Sequence, residues 1–125
     1  MLSSLLIFVL TFVFLPFSAY ADPPMVSANG FACVKSQLLV TCQGQFPGLT
    51  GTLSASGTYG VQMTYETPAA PKFRYLFDST TGCLLQVSLS SNGEATQALV
   101  KNAGGRSQTF PLPQQQSQAM AFCKS

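Results

Sequence analysis

Apolar and polar residues alternate with a period of two along the middle of the chain. Residues 58–66 show this most clearly, with aromatic or aliphatic side chains at every second position. Residues 73–78 and 84–90 repeat the pattern, with Leu85, Val87 and Leu89 as the apolar face of the latter. Alternation of this kind, enriched in aromatic and β-branched residues, is typical of half-buried strands. We therefore predict three strands, separated by a proline-containing loop at 67–71 and a turn at 79–82.

A hairpin is predicted after the third strand. Asn92-Gly93 suits the positive φ angles of a two-residue type I′ turn, and the apolar faces on its two sides then match. Residues 95–100 are predicted as strand, with a short helix as the alternative because 94–101 contain good helix formers. The expected facing pairs are Leu89–Thr96, Val87–Ala98 and Leu85–Val100.

The flanking segments have weaker patterns. Residues 31–34 are predicted as a short strand, 38–46 as strand or helix, and 47–57 as loop with room for one strand. Residues 110–116 are predicted as loop and 119–123 as a last short strand. The fold class is α+β and β-dominated: a small antiparallel sheet of about four to six strands with at most one short helix and two disulfides. An all-β meander or sandwich is the alternative.

The first 21 residues differ from the rest of the chain. Residues 5–15 form an apolar run that is too short for a spanning helix, which needs about 20 residues. Pro16 follows, and Ala19-Tyr20-Ala21 has the small-residue pattern of a signal-peptidase site. We predict a signal peptide over 1–21, a single domain over 22–125, and a secreted, extracellular protein.

The composition limits the catalytic and metal-binding chemistry that the side chains can perform. The chain has six basic and four acidic residues, a net charge of +2, no tryptophan and no histidine. Without histidine it lacks the commonest general acid–base and the commonest zinc ligand. We expect no metal and no cofactor, and the small net charge gives no strong indication of nucleic acid or membrane as a partner.

The four cysteines all follow residue 21. An even number in an exported chain predicts two disulfides, and three pairings are possible.

A few side chains are candidates for chemistry or binding. Glu66 and Asp78 each end a predicted strand and are candidates for a paired-carboxylate site of the glycosidase type. Lys72 and Arg74 flank Phe73 on the second strand, and two cations beside aromatic residues are typical of sites for phosphate or single-stranded RNA. The candidate binding residues are Lys72, Arg74, Tyr65 and Tyr75.

Several short stretches carry a family resemblance. The chain resembles the fungal guanyl-specific ribonucleases in Tyr65-Glu66-Thr67-Pro68, Arg74-Tyr75-Leu76-Phe77, residues 84–89 and Phe122-Cys123. It resembles still more the secreted ribonuclease-like effectors of plant-pathogenic fungi, whose aromatic-x-Cys motif near the mature start and cysteine near the end match Phe31-Ala32-Cys33 and Cys123. The resemblance implies the pairing Cys33–Cys123 and Cys42–Cys83, and a helix between the first cysteine and the first catalytic strand, for which only 34–44 is available.

The resemblance also assigns roles to two residues. Glu66 matches the catalytic carboxylate of the active ribonucleases and Arg74 matches the phosphate-stabilising arginine, but the family's histidines have no counterpart. Loss of a positioned general acid costs about 10²–10⁴-fold in rate. Glu66 and Arg74 are therefore expected to be vestigial.

The expected function is a non-catalytic, effector-like secreted binding protein with a role in virulence. It acts on a host protein or RNA, is monomeric and has no membrane contact after signal cleavage. One alternative is a carboxylate-dependent enzyme, either a weak ribonuclease or a glycan hydrolase. The other is an extracellular inhibitor or structural module, with the loop at 68–71 as its contact.

Overall fold

The computed structural model describes residues 27–125, which form two antiparallel sheets and one helix. The elements are β1 (Phe31–Ser36), β2 (Leu39–Gly44), β3 (Leu53–Thr58), β4 (Gln62–Glu66), β5 (Phe73–Asp78), β6 (Cys83–Leu89), β7 (Ala95–Lys101), β8 (Ser107–Pro111) and α1 (Gln116–Cys123). The β-dominated fold class with one short helix and two disulfides is confirmed. The predicted signal peptide and residues 22–26 lie outside the described residues.

The strands follow one another in space as they do in sequence. β1, β2 and β3 form the small sheet, and β4 to β8 form the large sheet, each in simple meander order. Every paired strand is antiparallel to its neighbour.

Each face of the large sheet is partly covered, and buried apolar residues lie on both faces. One face packs against the small sheet through an aromatic core, in which Phe31 stacks on Phe77 with ring centroids 4.4 Å apart. The other face carries α1, which contacts β7 and β8. The first core contains Phe31, Cys33, Val40, Cys42, Phe46, Val61, Met63, Tyr75, Phe77 and Leu84. The second contains Cys83, Ala98, Val100, Phe110, Ala119 and Cys123.

The prediction of one strand over residues 58–66 is wrong. The chain leaves the small sheet at Thr58, turns through Tyr59, Gly60 and Val61, and enters the large sheet at Gln62. Tyr59 has a positive φ of 72°. The corner is tight, because a Cβ atom at Gly57 would overlap the carbonyl oxygen of Gly60. A period-two pattern does not reveal where a chain passes from one sheet to the next.

The predicted hairpin forms, with its turn one residue longer. Val87 pairs with Ala98 as predicted, and residues 95–101 are strand rather than helix. The amide of Gly93 donates to the carbonyl of Ser90 at 2.9 Å, and Gly93 takes a φ of 82°. This is a three-residue loop that ends in a left-handed glycine. The longer turn sets Leu89 opposite Ala95, so the predicted Leu89–Thr96 pair is wrong, and a bulge between Ser88 and Leu89 restores the predicted register beyond it. The remaining predicted pair, Leu85–Val100, is confirmed.

The disulfides join Cys33 to Cys42 and Cys83 to Cys123, so the pairing that the resemblance implied is wrong. Cys33 and Cys42 face each other across β1 and β2, with Cα atoms 4.1 Å apart. The second bridge joins the start of β6 to the end of α1, with Cα atoms 5.4 Å apart. The hairpin register decides the first pair, and the two cysteines that remain then form the second.

The end of the chain also differs from prediction. Residues 119–123, predicted as strand, belong to α1, where Ala119 and Cys123 are the buried pair at helical i, i+4 spacing. Part of the loop predicted around Phe110 is strand β8. The segment 34–44, which the resemblance offered as a helix, is the β1–β2 hairpin. Among the described residues no helix has the length and apolarity needed to span a membrane.

Candidate functional site

Glu66 and Arg74, the vestigial catalytic candidates, lie directly opposite each other on β4 and β5. The Arg74 Nε lies 3.3 Å from Glu66 Oε2, and both side chains are 48% exposed. An ion pair in this much solvent contributes about 0–1 kcal/mol to stability. The arginine therefore has a carboxylate partner already.

The two candidate tyrosines lie on the opposite face of the same strands. Tyr65 and Tyr75 are a facing pair with ring centroids 6.3 Å apart, and both pack near Phe46 under the small sheet. Tyr75 is 6% exposed, and burial, with Tyr65 as a smaller contribution, raises the pKa of its phenol. Since successive side chains of a strand point to opposite faces, Arg74 and these tyrosines do not form one binding site.

Lys72 lines a different feature, a cleft of about 690 Å³ between the loop before β5 and the β6–β7 hairpin. Glu66 and Phe73 also line it. The loop that forms one wall is exposed at residues 68–71, and Thr67 holds its base by accepting a hydrogen bond from the Phe73 amide at 2.9 Å. The cleft brings Lys72 near Glu66, but not near the two tyrosines.

Glu66 and Asp78 are far apart. Asp78 pairs with Gln62, whereas Glu66 pairs with Arg74, so the backbones of the two acidic residues lie four residues apart along the strands, about 13 Å. Carboxyl pairs of glycosidases are about 5–9.5 Å apart. Asp78 instead accepts hydrogen bonds from the hydroxyls of Thr80 and Thr81. Over residues 27–125, no group of three or more potential metal-ligating side chains occurs.

The most exposed apolar residues occur elsewhere, around the turn between β1 and β2. Val34, Leu38, Leu39 and Tyr59, called the apex patch below, are 61%, 51%, 50% and 67% exposed. Leu39 pairs with Thr58, and the amide of Tyr59 donates to the carbonyl of Leu38 at 2.8 Å. The register places Val34 diagonally across from Leu39 on the outer face of the small sheet. The four residues therefore share one end of that sheet.

The frame beneath the apex patch is well constrained. The Cys33–Cys42 bridge closes the hairpin on its buried side. At the corner that carries Tyr59, the Val61 amide donates to the buried hydroxyl of Ser79 at 2.8 Å, and the Ser79 amide donates to the Val61 carbonyl at 2.9 Å. The patch is thus displayed on two anchored turns.

The surroundings of the patch carry little charge. Residues 27–65 include no aspartate or glutamate and only one basic residue, Lys35. The outer face of the small sheet is rich in hydroxyls, and Thr41 and Ser56 share a hydrogen bond of 3.0 Å across β2 and β3. The apex patch is an apolar surface within a neutral polar surround.

The sequence pattern does not predict this patch. Alternation places Tyr59 on the apolar face of one long strand, which would bury it, and leaves the segment containing Leu38 and Leu39 undecided between strand and helix. The available signals were two glycines around Thr58-Tyr59 and two adjacent leucines before Val40.

Comparison with known proteins gives no match: neither a protein-family model, nor a curated protein, nor a solved structure is similar to this chain.

Proposed function

We propose that the protein is a secreted, non-catalytic binding protein that contacts a partner protein through the apex patch. The observation that carries the proposal is the 67% exposure of Tyr59 at a φ of 72°. A non-glycine residue in the left-handed region costs of order 1–3 kcal/mol, and such residues cluster at functional sites. Here that conformation holds an aromatic ring in solvent beside three exposed aliphatic side chains.

The chemistry of the apex patch favours a protein as partner. Tyrosine is enriched among the residues that dominate protein–protein binding energy, and exposed apolar clusters with polar rims mark interaction sites. The patch has no cation for a phosphate, so a nucleic-acid backbone gains no ionic contact there. We infer a partner with an uncharged, apolar recess.

Two features support secretion. Residues 1–21 have the pattern of a signal peptide. All four cysteines are in disulfides, which persist in oxidising compartments such as the extracellular space.

We propose a non-catalytic protein because of how its acidic residues are arranged. Glu66 is in an ion pair with Arg74, and the other strand-end acid, Asp78, lies four residues, about 13 Å, further along the strands. The chain contains no histidine to act as a general acid. Glu66 and Arg74 are also a weak candidate site for RNA, because the carboxylate neutralises the positive charge that Arg74 would offer to a phosphate.

Photo-crosslinking tests the apex patch. A photo-reactive phenylalanine analogue replaces Tyr59 in one variant and Thr109, an exposed residue of β8, in the control. In extracellular extract of the target tissue, we expect the first variant alone to give a protein adduct of defined mass, suppressed by excess unlabelled protein. Adducts at both positions alike, or an adduct with RNA instead of protein, would contradict the proposal.

Affinity for the partner so identified gives the quantitative test. We expect Leu39→Ser to weaken binding at least about tenfold, as for truncation of a residue in a binding hot spot. Met120→Ser removes a side chain that is similarly exposed, 54%, but lies on α1, and it should leave affinity unchanged. Equal effects of the two substitutions would mean that the apex patch is not the contact.

A further inference from the structure

Two strands of this molecule have an uncovered edge on the same side. Within residues 27–125, β3 is hydrogen-bonded only to β2, and β4 only to β5. The corner at residues 59–61 joins the end of β3 to the start of β4, so the two free edges meet at that corner.

The hydrogen-bond register shows which backbone groups face outward. In β3 the odd-numbered residues bond β2, as the Tyr59–Leu38 bond shows, so Ser54, Ser56 and Thr58 direct their N–H and C=O groups to the free edge. In β4 the odd-numbered residues bond β5, because the Val61 carbonyl accepts from Ser79. The residues of β4 that direct their backbone groups to the free edge are therefore Gln62, Thr64 and Glu66.

The other two edges are protected. On β1, the Cys33 amide donates to the Ser27 hydroxyl and the Phe31 amide to the Ala28 carbonyl. β8 ends at Pro111, which has no N–H. By contrast, β3 and β4 contain no proline, no lysine and no bulge, the devices that keep free edges from pairing.

The edge of β4 is complementary to itself. In an antiparallel pairing centred on Thr64, Thr64 faces Thr64 of the second copy, and Gln62 faces its Glu66. All three outward residues form hydrogen-bonded pairs, which gives six backbone hydrogen bonds across the axis. The glutamate meets an amide rather than another carboxylate, so no like charges are opposed.

We propose that β4 pairs with β4 of a second copy of this chain, which joins two five-stranded sheets into one of ten. The free edge of β3 ends at the corner from which β4 begins, at residues 59–61. The contact involves residues outside the apex patch and goes beyond the proposed function. It also replaces the expectation of a monomer.

Proline at position 64 is the direct test. The Thr64 amide points away from β5, so Thr64→Pro removes no hydrogen bond within the sheet but removes two of the six across the axis. Thr109→Pro is the matched control, because the Leu112–Thr96 bond shows that even-numbered residues of β8 bond β7 and that Thr109 also faces outward. Folding of each variant is checked by circular dichroism.

Sedimentation velocity over a concentration series measures the result. We expect wild type and Thr109→Pro to dimerise alike, and Thr64→Pro to raise the dimer dissociation constant at least about tenfold. Wild type that stays monomeric at every concentration, or a dimer that Thr64→Pro leaves intact, would overturn the proposal. A foreign extended peptide at β4 with a monomeric wild type would overturn it equally.

A cysteine variant covers the case in which Thr64→Pro does not fold. Facing residues of a hydrogen-bonded antiparallel pair have Cα atoms about 5.5 Å apart, within the reach of a disulfide. We expect Thr64→Cys to give a covalent dimer on mild oxidation, and Thr109→Cys to stay monomeric. Equal cross-linking of both would indicate random collision. These assays use the pure protein, so their failure leaves the apex patch proposal standing, and the reverse also holds.

Discussion

The two disulfides close loops of different length, so their removal, one at a time, should lower the free energy of unfolding by different amounts. The two variants are Cys33→Ala with Cys42→Ala, and Cys83→Ala with Cys123→Ala. All four side chains are buried, so each double substitution removes the same atoms from similar surroundings. The difference between the variants therefore reports mainly the loop that each bridge closes.

The sequence separations are 9 residues for the first bridge and 40 for the second. In the chain-entropy model, loops of these lengths correspond to about 2.6 and about 3.9 kcal/mol at 25 °C. We expect loss of Cys83–Cys123 to lower the free energy of unfolding by about 1.3 kcal/mol more than loss of Cys33–Cys42.

Urea unfolding followed by tyrosine fluorescence and circular dichroism measures both values, since the chain has no tryptophan. Titration of free thiols supplies the control, because each double variant should show none. Two free thiols in either variant would mean that the pairing is different. Equal destabilisation, or a larger loss from the shorter loop, would refute the loop-length reasoning.

Loss of the second bridge should also destabilise α1 locally. α1 has eight residues and no side-chain hydrogen bond at its N-cap, and such a short helix is marginal by itself. Amide exchange in α1 should accelerate in the variant that lacks Cys83–Cys123 and remain slow in the other. Unchanged protection in both would show that packing of Ala119 alone holds the helix.

Three further results are expected. Gly57→Ala should lower the free energy of unfolding by about 1–3 kcal/mol in urea titrations, because its Cβ overlaps the Gly60 carbonyl. Gly104→Ala should not, because its Cβ meets only Asn102 Oδ1, at an ordinary contact distance of 3.6 Å. The raised pKa of Tyr75 means that the folded state keeps a phenol proton which the unfolded chain loses, so stability should fall as pH rises above the ordinary value of 10.0, and less so in Tyr75→Phe. Glu66→Gln should change stability by less than about 1 kcal/mol and leave RNA cleavage by the purified protein at background, and a turnover that this substitution abolished would instead assign catalysis to Glu66.

The strands that the sequence predicts best are those with one clear apolar face. β5, with Phe73, Tyr75 and Phe77 against the small sheet, was predicted with its observed limits. The Leu85–Val100 and Val87–Ala98 pairs followed from matching two such faces. Local alternation carries this information because a strand presents every second residue to the same neighbour.

The remaining errors involve contacts that alternation does not encode. α1 was missed because its buried residues, Ala119 and Cys123, provide a single helical repeat in a segment rich in glutamine. The chain crosses between sheets at residues 59–61 without a break in the apolar pattern. The disulfide pairing depends on the register of a hairpin whose turn has no glycine, at Gln37-Leu38.

The candidate site was missed for the same reason as the corner. In one uninterrupted strand, Tyr59 would share a buried face with Val61 and Met63. The turn at Gly60 separates them, so Val61 and Met63 enter the core and Tyr59 stays in solvent. Tyr59 is thus exposed because it lies at the junction between the sheets, whereas sequence periodicity predicts that it is buried.

The distribution of charge distinguishes the small sheet, which carries the apex patch, from the rest of the molecule. Residues 27–65 carry only Lys35, whereas the other described charges lie between Glu66 and Lys124. The small sheet therefore lacks the charges that keep protein surfaces apart, and it carries the aliphatic residues of the apex patch. Its hairpin is closed by Cys33–Cys42, so the surface keeps its shape before any partner binds. A preorganised contact loses less conformational entropy on association, which favours binding through a surface as small as the apex patch.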